Sequence, residues 1–419
     1  MASGSNNAGG IRRPAEPRLT EGAQLLARGR PLEALERVAL LDEPKALALR
    51  GIALAQLGDL DQARTLLRRA TERFIDDPLS RARTVAAEAE IAIARRDLEQ
   101  SVEGLSEAAE TLRNHGDHGN AAYAELVLAR RHLLLGELDR VERRLEDLAF
   151  VQVPATVAAV AHLVSAEVAE RRLRASAAAR VLDVAADAAR RSGVVALEAE
   201  VARARERLEM VAARVVDERG TRSLCLVDVE QLLGSERLVV DGCRRRLRRG
   251  DREVSLLQRP VQMDLLMELA MAGRRGAPRE ELIGRVFGAR RPNESHRARL
   301  RVDIGRLRKA IAGFASPKAT RDGYVLEVPS GEHVPVLLPP IDGPHAEVVA
   351  LLADGEPWSA AALALATGAS RRTMQRALKA LGDEGRVTAI GRGPKRRWVS
   401  PPLTRIATAM LLPPAGHAG

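Results

Sequence analysis

Residues Ala298 to Ile311 read ARLRVDIGRLRKAI, and ten residues further on the chain carries Arg321-Asp322-Gly323-Tyr324. Placed on a helix, Leu300, Ile304, Leu307 and Ile311 fall at i, i+4, i+7 and i+11 and form one apolar stripe. Arg297, Arg301, Arg306 and Arg308 then point elsewhere, so a buried face holds out a basic one. Taken alone, the same pattern also describes a helix whose arginines are simply solvated. The neighbouring segments decide between the two.

Upstream, Leu238-Val239-Val240-Asp241 and Glu253-Val254-Ser255-Leu256 predict short strands around an arginine-rich turn. Val261 to Met271, with Leu265, Leu266 and Leu269, predicts a helix, and Pro278-Arg279-Glu280-Glu281-Leu282-Ile283 opens a second. The ARLRVDIGRLRKAI helix comes next, followed by a strand pair ending in Gly323-Tyr324-Val325-Leu326. This order, across residues 223 to 330, resembles the winged-helix output domain of OmpR/PhoB-type bacterial transcription regulators. The resemblance implies that the third helix enters the major groove of duplex DNA and that the C-terminal hairpin, the wing, reaches the minor groove. By position it puts Val302 and Arg306 against bases, Arg301 and Arg308 against bases or phosphates, and Arg321 on the wing. Arg297, Arg299 and Lys309 complete that basic contact set. Two places depart from the family. Asp303 stands where a polar or basic residue is usual, and an acid there needs a cytosine amine or a neighbouring arginine to offset phosphate repulsion. Gln258-Arg259-Pro260 replaces the usual threonine cap, although Pro260 suits a first helical turn.

A second group of the same kind follows. Pro344 to Leu352, Ser359 to Ala366 and Arg371 to Glu384 predict three helices, and Gly368-Ala369-Ser370 turns into the last with Ser370 as its cap. Met374, Leu378 and Leu381 face inward, leaving Arg371, Arg372, Gln375, Arg376 and Lys379 outward, which is helix-turn-helix spacing. After Gly385, two short apolar strands bracket Gly391-Arg392-Gly393-Pro394-Lys395-Arg396-Arg397. The tip looks like a wing, and the whole is similar to the generic winged-helix pattern of many prokaryotic regulators. The DNA contacts this implies are Ser370, Arg371, Arg372, Gln375, Arg376, Lys379, Arg392, Lys395, Arg396 and Arg397. The alternative is a small helical cap with a charged hairpin that binds protein.

The amino-terminal half is different in kind. Gly29, Gly58, Arg96, Gly136 and Leu173 recur at intervals of 29, 38, 40 and 37 residues, each between two alanine- and leucine-rich helices. Repetition at this period signals an array of helical hairpins. The unit with Gly51, Leu54, Gly58, Ala63, Leu67 and Ala70 fits the small-and-large pattern of a tetratricopeptide repeat, and a weaker first unit carries Gly22, Leu25, Gly29, Ala34 and Val38. Aromatic and proline positions of that repeat are missing, so the array is tetratricopeptide-like. About five units make a small solenoid whose repeats bury their faces against neighbours. Its concave surface suits a peptide, a protein partner or a second copy of the chain; a purely structural scaffold is the alternative.

Charge follows the same division. Residues 1–221 hold 33 Lys+Arg against 35 Asp+Glu, residues 222–340 hold 23 against 15, and residues 341–419 hold 10 against 6. The net charge of +10 therefore lies entirely in the two C-terminal modules, as polyanion binding requires. Two cysteines, Cys225 and Cys243, are too few for a stapled secreted fold and read as buried thiols in a reducing cytoplasm. No signal peptide appears, and no apolar run is long enough to span a membrane. His115 and His118 have a metal-like spacing without further ligands nearby. There is no phosphate-binding glycine-rich loop, no acidic phosphate-accepting input domain and no catalytic constellation.

The expected protein is thus multidomain and mainly α, a tetratricopeptide-like helical-repeat solenoid followed by two α+β winged-helix domains. The expected boundaries are a disordered 1–18, repeats at 19–215, winged helices at 222–338 and 343–400, and a tail at 401–419. The expected function is sequence-specific double-stranded DNA binding by a cytoplasmic, homodimeric, non-enzymatic bacterial transcription regulator without cofactor or metal. A protein-interaction scaffold using the same modules is the competing class.

Overall fold

The computed structural model describes residues 15–98, 103–148, 152–341, 343–353, 355–393, 396–400 and Met410. Most of this is helical, and the strands are confined to the C-terminal half. Contacts divide the chain into two compact units, Met1–Leu134 with Asp139–Val164 and Asp183–Val201, and Leu135–Leu138 with Ser165–Leu182 and Ala202–Gly419. The expected N-terminal tail lies outside the described residues as far as residue 14; from Ala15 the chain is helical, ahead of the expected boundary at 19.

Among the described residues eleven helices come first: α1 (Ala15–Ala27), α2 (Pro31–Val38), α3 (Pro44–Gln56), α4 (Leu60–Arg73), α5 (Pro78–Ala94), α6 (Glu103–Asn114), α7 (His118–Leu134), α8 (Leu138–Leu148), α9 (Ala155–Arg171), α10 (Ala175–Ser192) and α11 (Val195–Glu209). Proline begins α2, α3 and α5, where its missing N–H costs nothing. Asp59 and Asp77 cap α4 and α5 by accepting from Gln62 N and Ser80 N. All five residues spaced along the array, Gly29, Gly58, Arg96, Gly136 and Leu173, have positive φ, from 55° to 88°. Each ends a helix in the left-handed conformation that turns the chain into the next one. The amide following the residue closes the turn after Gly29, Gly58, Arg96 and Leu173, as in Arg30 N to Leu25 O and Asp97 N to Ala92 O. Arg96 and Leu173 adopt this backbone despite their Cβ, which is why they stand in for glycine in the pattern.

Inside α3, Gly51 is required by contact rather than by φ. A Cβ there would lie 2.7 Å from Leu67 Cγ and 3.1 Å from the Ala63 carbonyl oxygen, so α3 and α4 approach as closely as backbone permits. Gly51→Leu is therefore expected to cost roughly 3 kcal/mol or more by overpacking. A urea midpoint equal to wild type in the first unit would refute it.

The second unit contains a six-stranded sheet in the order β2-β1-β9-β3-β4-β5. Its strands are β1 (Ala213–Asp217), β2 (Gly220–Leu224), β3 (Val239–Asp241), β4 (Arg246–Arg249), β5 (Arg252–Ser255) and β9 (Val336–Leu338). Neighbours are antiparallel except β3 and β9. Two expectations change here. The boundary at 215 falls inside β1, whose Val215 pairs with Leu337 in this sheet, so the helical region ends with α11. The arginine-rich segment is not a plain turn but includes β4, anchored by the fully buried Leu247. Five of its six arginines are engaged internally. Arg244 donates to the Arg171 carbonyl, Arg246 pairs with Glu253, Arg248 donates to the Gly250 carbonyl, Arg249 pairs with Glu332, and Arg252 lies over the Phe314 ring. Between β2 and β3 runs α12 (Leu226–Leu233), capped by Cys225 and Asp228. Both cysteines are free and half-buried rather than buried. One face of the sheet encloses Ala213, Val215, Leu226, Val229, Val239 and Leu337 together with Leu173 and Ala175 from the α9–α10 turn.

The other face carries α13 (Pro260–Ala272), α14 (Arg279–Phe287) and α15 (Glu294–Ala310), followed by the sheet β6-β8-β7 of β6 (Ala277–Pro278), β7 (Ser316–Ala319) and β8 (Gly323–Glu327). After residue 340 come α16 (Ala346–Leu352), α17 (Ala360–Thr367), α18 (Arg371–Asp383), and the hairpin of β10 (Thr388–Ile390) and β11 (Arg397–Val399). Trp358, fully buried, exchanges two backbone hydrogen bonds with Trp398 and ties the α16–α17 connection to that hairpin. No helix among the described residues is long and apolar enough to cross a membrane.

Candidate nucleic-acid interface

The start of α15 is fixed by a reciprocal cap. Asn293 Oδ1 accepts from His296 N at 3.0 Å, and His296 Nδ1 accepts from Asn293 N. Leu300, Ile304, Leu307 and Ile311 are all buried, in one cluster with Met263, Leu266, Leu282 and Ile283 of α13 and α14. This packing turns Arg299, Val302, Arg306 and Lys309 outward together. Val302 is 54% exposed, unusual for a valine on a helix with an apolar face to fill. Lys309 meets no partner among the described residues, and Arg299 lies over the Phe287 ring, its Cζ 4.3 Å from the ring centre.

Flanking arginines are committed to the framework. Arg297 pairs with Glu280 and Glu294, and Arg301 with Glu294. Arg308 gives two hydrogen bonds, Nε at 3.2 Å and Nη2 at 2.6 Å, to the Pro317 carbonyl of β7. Its guanidinium thus fastens α15 to the hairpin while the side chain stays on the exposed side of the helix.

Gly305 sits on the outward side between Val302 and Lys309, and a Cβ there would touch nothing within 4 Å. Folding does not need a glycine at this place, and mid-helix glycine costs roughly 0.5 to 1 kcal/mol relative to alanine. What it provides is close access to the backbone. Gly305→Ala is expected to raise the melting temperature of the chain, as an alanine with free space around it should in a helix; a melting temperature at or below wild type would refute this.

Beside α15, the hairpin of β7 and β8 turns at Thr320–Arg321–Asp322. Thr320 Oγ1 accepts from Gly323 N. Arg279, at the start of α14, donates to the Arg321 and Thr320 carbonyls at 2.7 and 3.0 Å, fixing the hairpin turn and leaving the Arg321 side chain exposed. Arg279 was not singled out from sequence because its partners lie 41 and 42 residues away.

In the last module, Ser370 is spent as the α18 cap, its Oγ accepting from Thr373 N at 3.1 Å. Met374, Ala377, Leu378 and Leu381 are buried, and Arg371, Arg372, Gln375, Arg376 and Lys379 lie on the exposed side. Arg392 is exposed on the β10–β11 connection, Arg396 stacks 4.5 Å from the Trp398 ring centre, and Arg397 is half-buried on β11. Lys395 lies outside the described residues.

His115 Nδ1 stands 2.8 Å from the Thr111 carbonyl oxygen at the end of α6, and no group of three or more His, Cys, Asp and Glu side chains gathers as a metal site among the described residues. Comparison with known protein families, curated proteins and solved structures finds no match to this chain, so the reading of the site rests on its own residues.

Proposed function

We propose that the chain is a sequence-specific, double-stranded DNA-binding transcription regulator. In this reading residues 213–338 form an OmpR/PhoB-like winged helix with α15 in the major groove and the β7–β8 hairpin as wing, and residues 343–400 form a second winged helix with α18 as its reading helix. The observation that carries the reading is the outward face of α15. Arg299, Val302, Gly305, Arg306 and Lys309 form a basic strip with an open backbone, beside a hairpin that carries the exposed Arg321. An excess of positive charge confined to these modules supports it. The helices α1–α10 serve as a tetratricopeptide-like surface for dimerisation or a protein partner, and the cytoplasm is the place where such a regulator works.

Fluorescence anisotropy of the full chain with labelled duplex DNA tests the function. Affinity should fall steeply and log-linearly with salt, because each neutralised phosphate releases counterions. No binding at low salt would transfer the modules to the scaffold reading. Light scattering should give the mass of two chains; the mass of one chain at micromolar concentration, with and without DNA, would refute dimerisation.

A further inference from the structure

Asp303 is the one acid on the inner edge of the α15 reading face, and it is almost fully buried, with 4% of its surface exposed. Its Oδ1 accepts from Gln262 Nε2 of α13 at 3.0 Å and from Arg306 Nη1 at 3.2 Å; its Oδ2 lies 3.7 Å from Arg299 Nε. Asp303, Gln262, Arg299 and Arg306, with Val302 and Arg259, line an open cleft of about 410 Å³ between the first turn of α13 and α15. Arg306 is otherwise without a partner among the described residues, and its side chain is 68% exposed.

A carboxylate at this place is costly for simple phosphate attraction. It sits among charges meant to meet a polyanion, and its burial must be offset by the donors around it. Gln262 supplies the fixed donor. With that bond in place the carboxylate cannot swing away, and Arg306 is drawn to one side of the helix by Nη1 while Nη2 and Nε stay available. A guanidinium held this way presents two parallel donors in a set plane, which matches the O6 and N7 acceptors of guanine in the major groove. Holding it before contact also removes part of the rotamer entropy that a free arginine loses on binding.

We propose that Asp303, anchored by Gln262, is a positioning residue that aims Arg306 at a guanine and so sets the sequence preference of the module at one base pair. The inference rests on the reading of α15 as a major-groove helix. Its signature is a trade: the acid lowers affinity for DNA in general and raises discrimination.

The test uses the full-length chain and selection from a pool of random duplexes, followed by affinity for the selected site and for random duplex at one salt concentration. Asp303→Asn keeps shape and the Gln262 contact region but removes the charge. It should bind random DNA several-fold more tightly, and its ratio of specific to random affinity should fall about tenfold, with the lost preference confined to one G·C position. In an Arg306→Ala background the same Asn substitution should leave the ratio unchanged. Arg306→Lys, which keeps Asp303 paired and the charge in place, covers the case in which Asp303→Asn is unstable; it should lose the same single position and retain random-DNA affinity. Discrimination equal to wild type in Asp303→Asn, or in Arg306→Lys, overturns the positioning role and leaves DNA binding standing. A wild-type chain that binds duplexes without preference overturns the inference together with sequence-specific reading.

Discussion

Glu170→Gln should make the chain more stable than wild type at about pH 8 by up to about 3 kcal/mol, and by almost nothing below about pH 4.5. Glu170, at the end of α9, is buried, which pushes its carboxyl up to about 7 from its ordinary value near 4.5. The Arg207 guanidinium of α11, 3.6 Å away, opposes that shift, and so does Arg171, while Glu167 adds to it. Because the folded form holds its proton more tightly than the unfolded chain, the stabilisation is present in full below pH 4.5 and is lost as pH rises towards 7. Glutamine keeps the volume and removes the titration, and Arg207, 40% exposed, stays solvated without its partner. Urea unfolding of both chains at about pH 5 and about pH 8 measures this; parallel pH dependences in the two would show that Glu170 is not the titrating group.

How much of this was legible in the sequence depends on how far apart the interacting residues lie. Turn positions in the helical half were legible because a left-handed helix end is a local event, readable even where arginine or leucine replaces glycine. The α15 stripe was legible for the same reason, its partners falling one turn apart. The β1–β9 pairing was not, since Arg214 and Pro339, which hydrogen-bond at that junction, are 125 residues apart and β1 follows a helix without a breaker of its own. The arginine-rich segment at 244–252 was misread in part because charge density alone does not reveal that Glu253, Glu332 and three carbonyls or rings lie opposite. In the site, composition identified the basic helix and periodicity its outward face. The division of its arginines into committed and available ones came from side-chain partners that helical periodicity does not specify, with Arg301 tied to Glu294, Arg308 to Pro317 and Asp303 to Gln262.

Gly323→Ala should have the largest effect of any single methyl group on the reading module. At the start of β8 a Cβ would lie 1.9 Å from the Ala277 carbonyl oxygen, 2.7 Å from its carbon and 2.8 Å from Pro278 Cα. All three are backbone atoms of β6, so no rotamer change relieves the clash, and the β6–β8 pairing of Ala277 with Tyr324 and Pro278 with Gly323 must open. The expected cost is at least about 3 kcal/mol, the upper range for overpacking. Arg279, which holds the hairpin through the Arg321 and Thr320 carbonyls, then loses its acceptors, and with them the hairpin loses its place beside α15. Arg321→Ala separates charge from scaffold. It should leave the melting temperature unchanged, lower the salt slope of DNA binding by about one phosphate equivalent and weaken preference for A·T-rich flanks, where a narrow minor groove concentrates negative potential. Thermal melting and salt-dependent anisotropy on both variants decide the matter: a Gly323→Ala chain that melts with wild type would show that β6 does not confine β8, and an Arg321→Ala chain with the wild-type salt slope would remove the hairpin from the DNA interface.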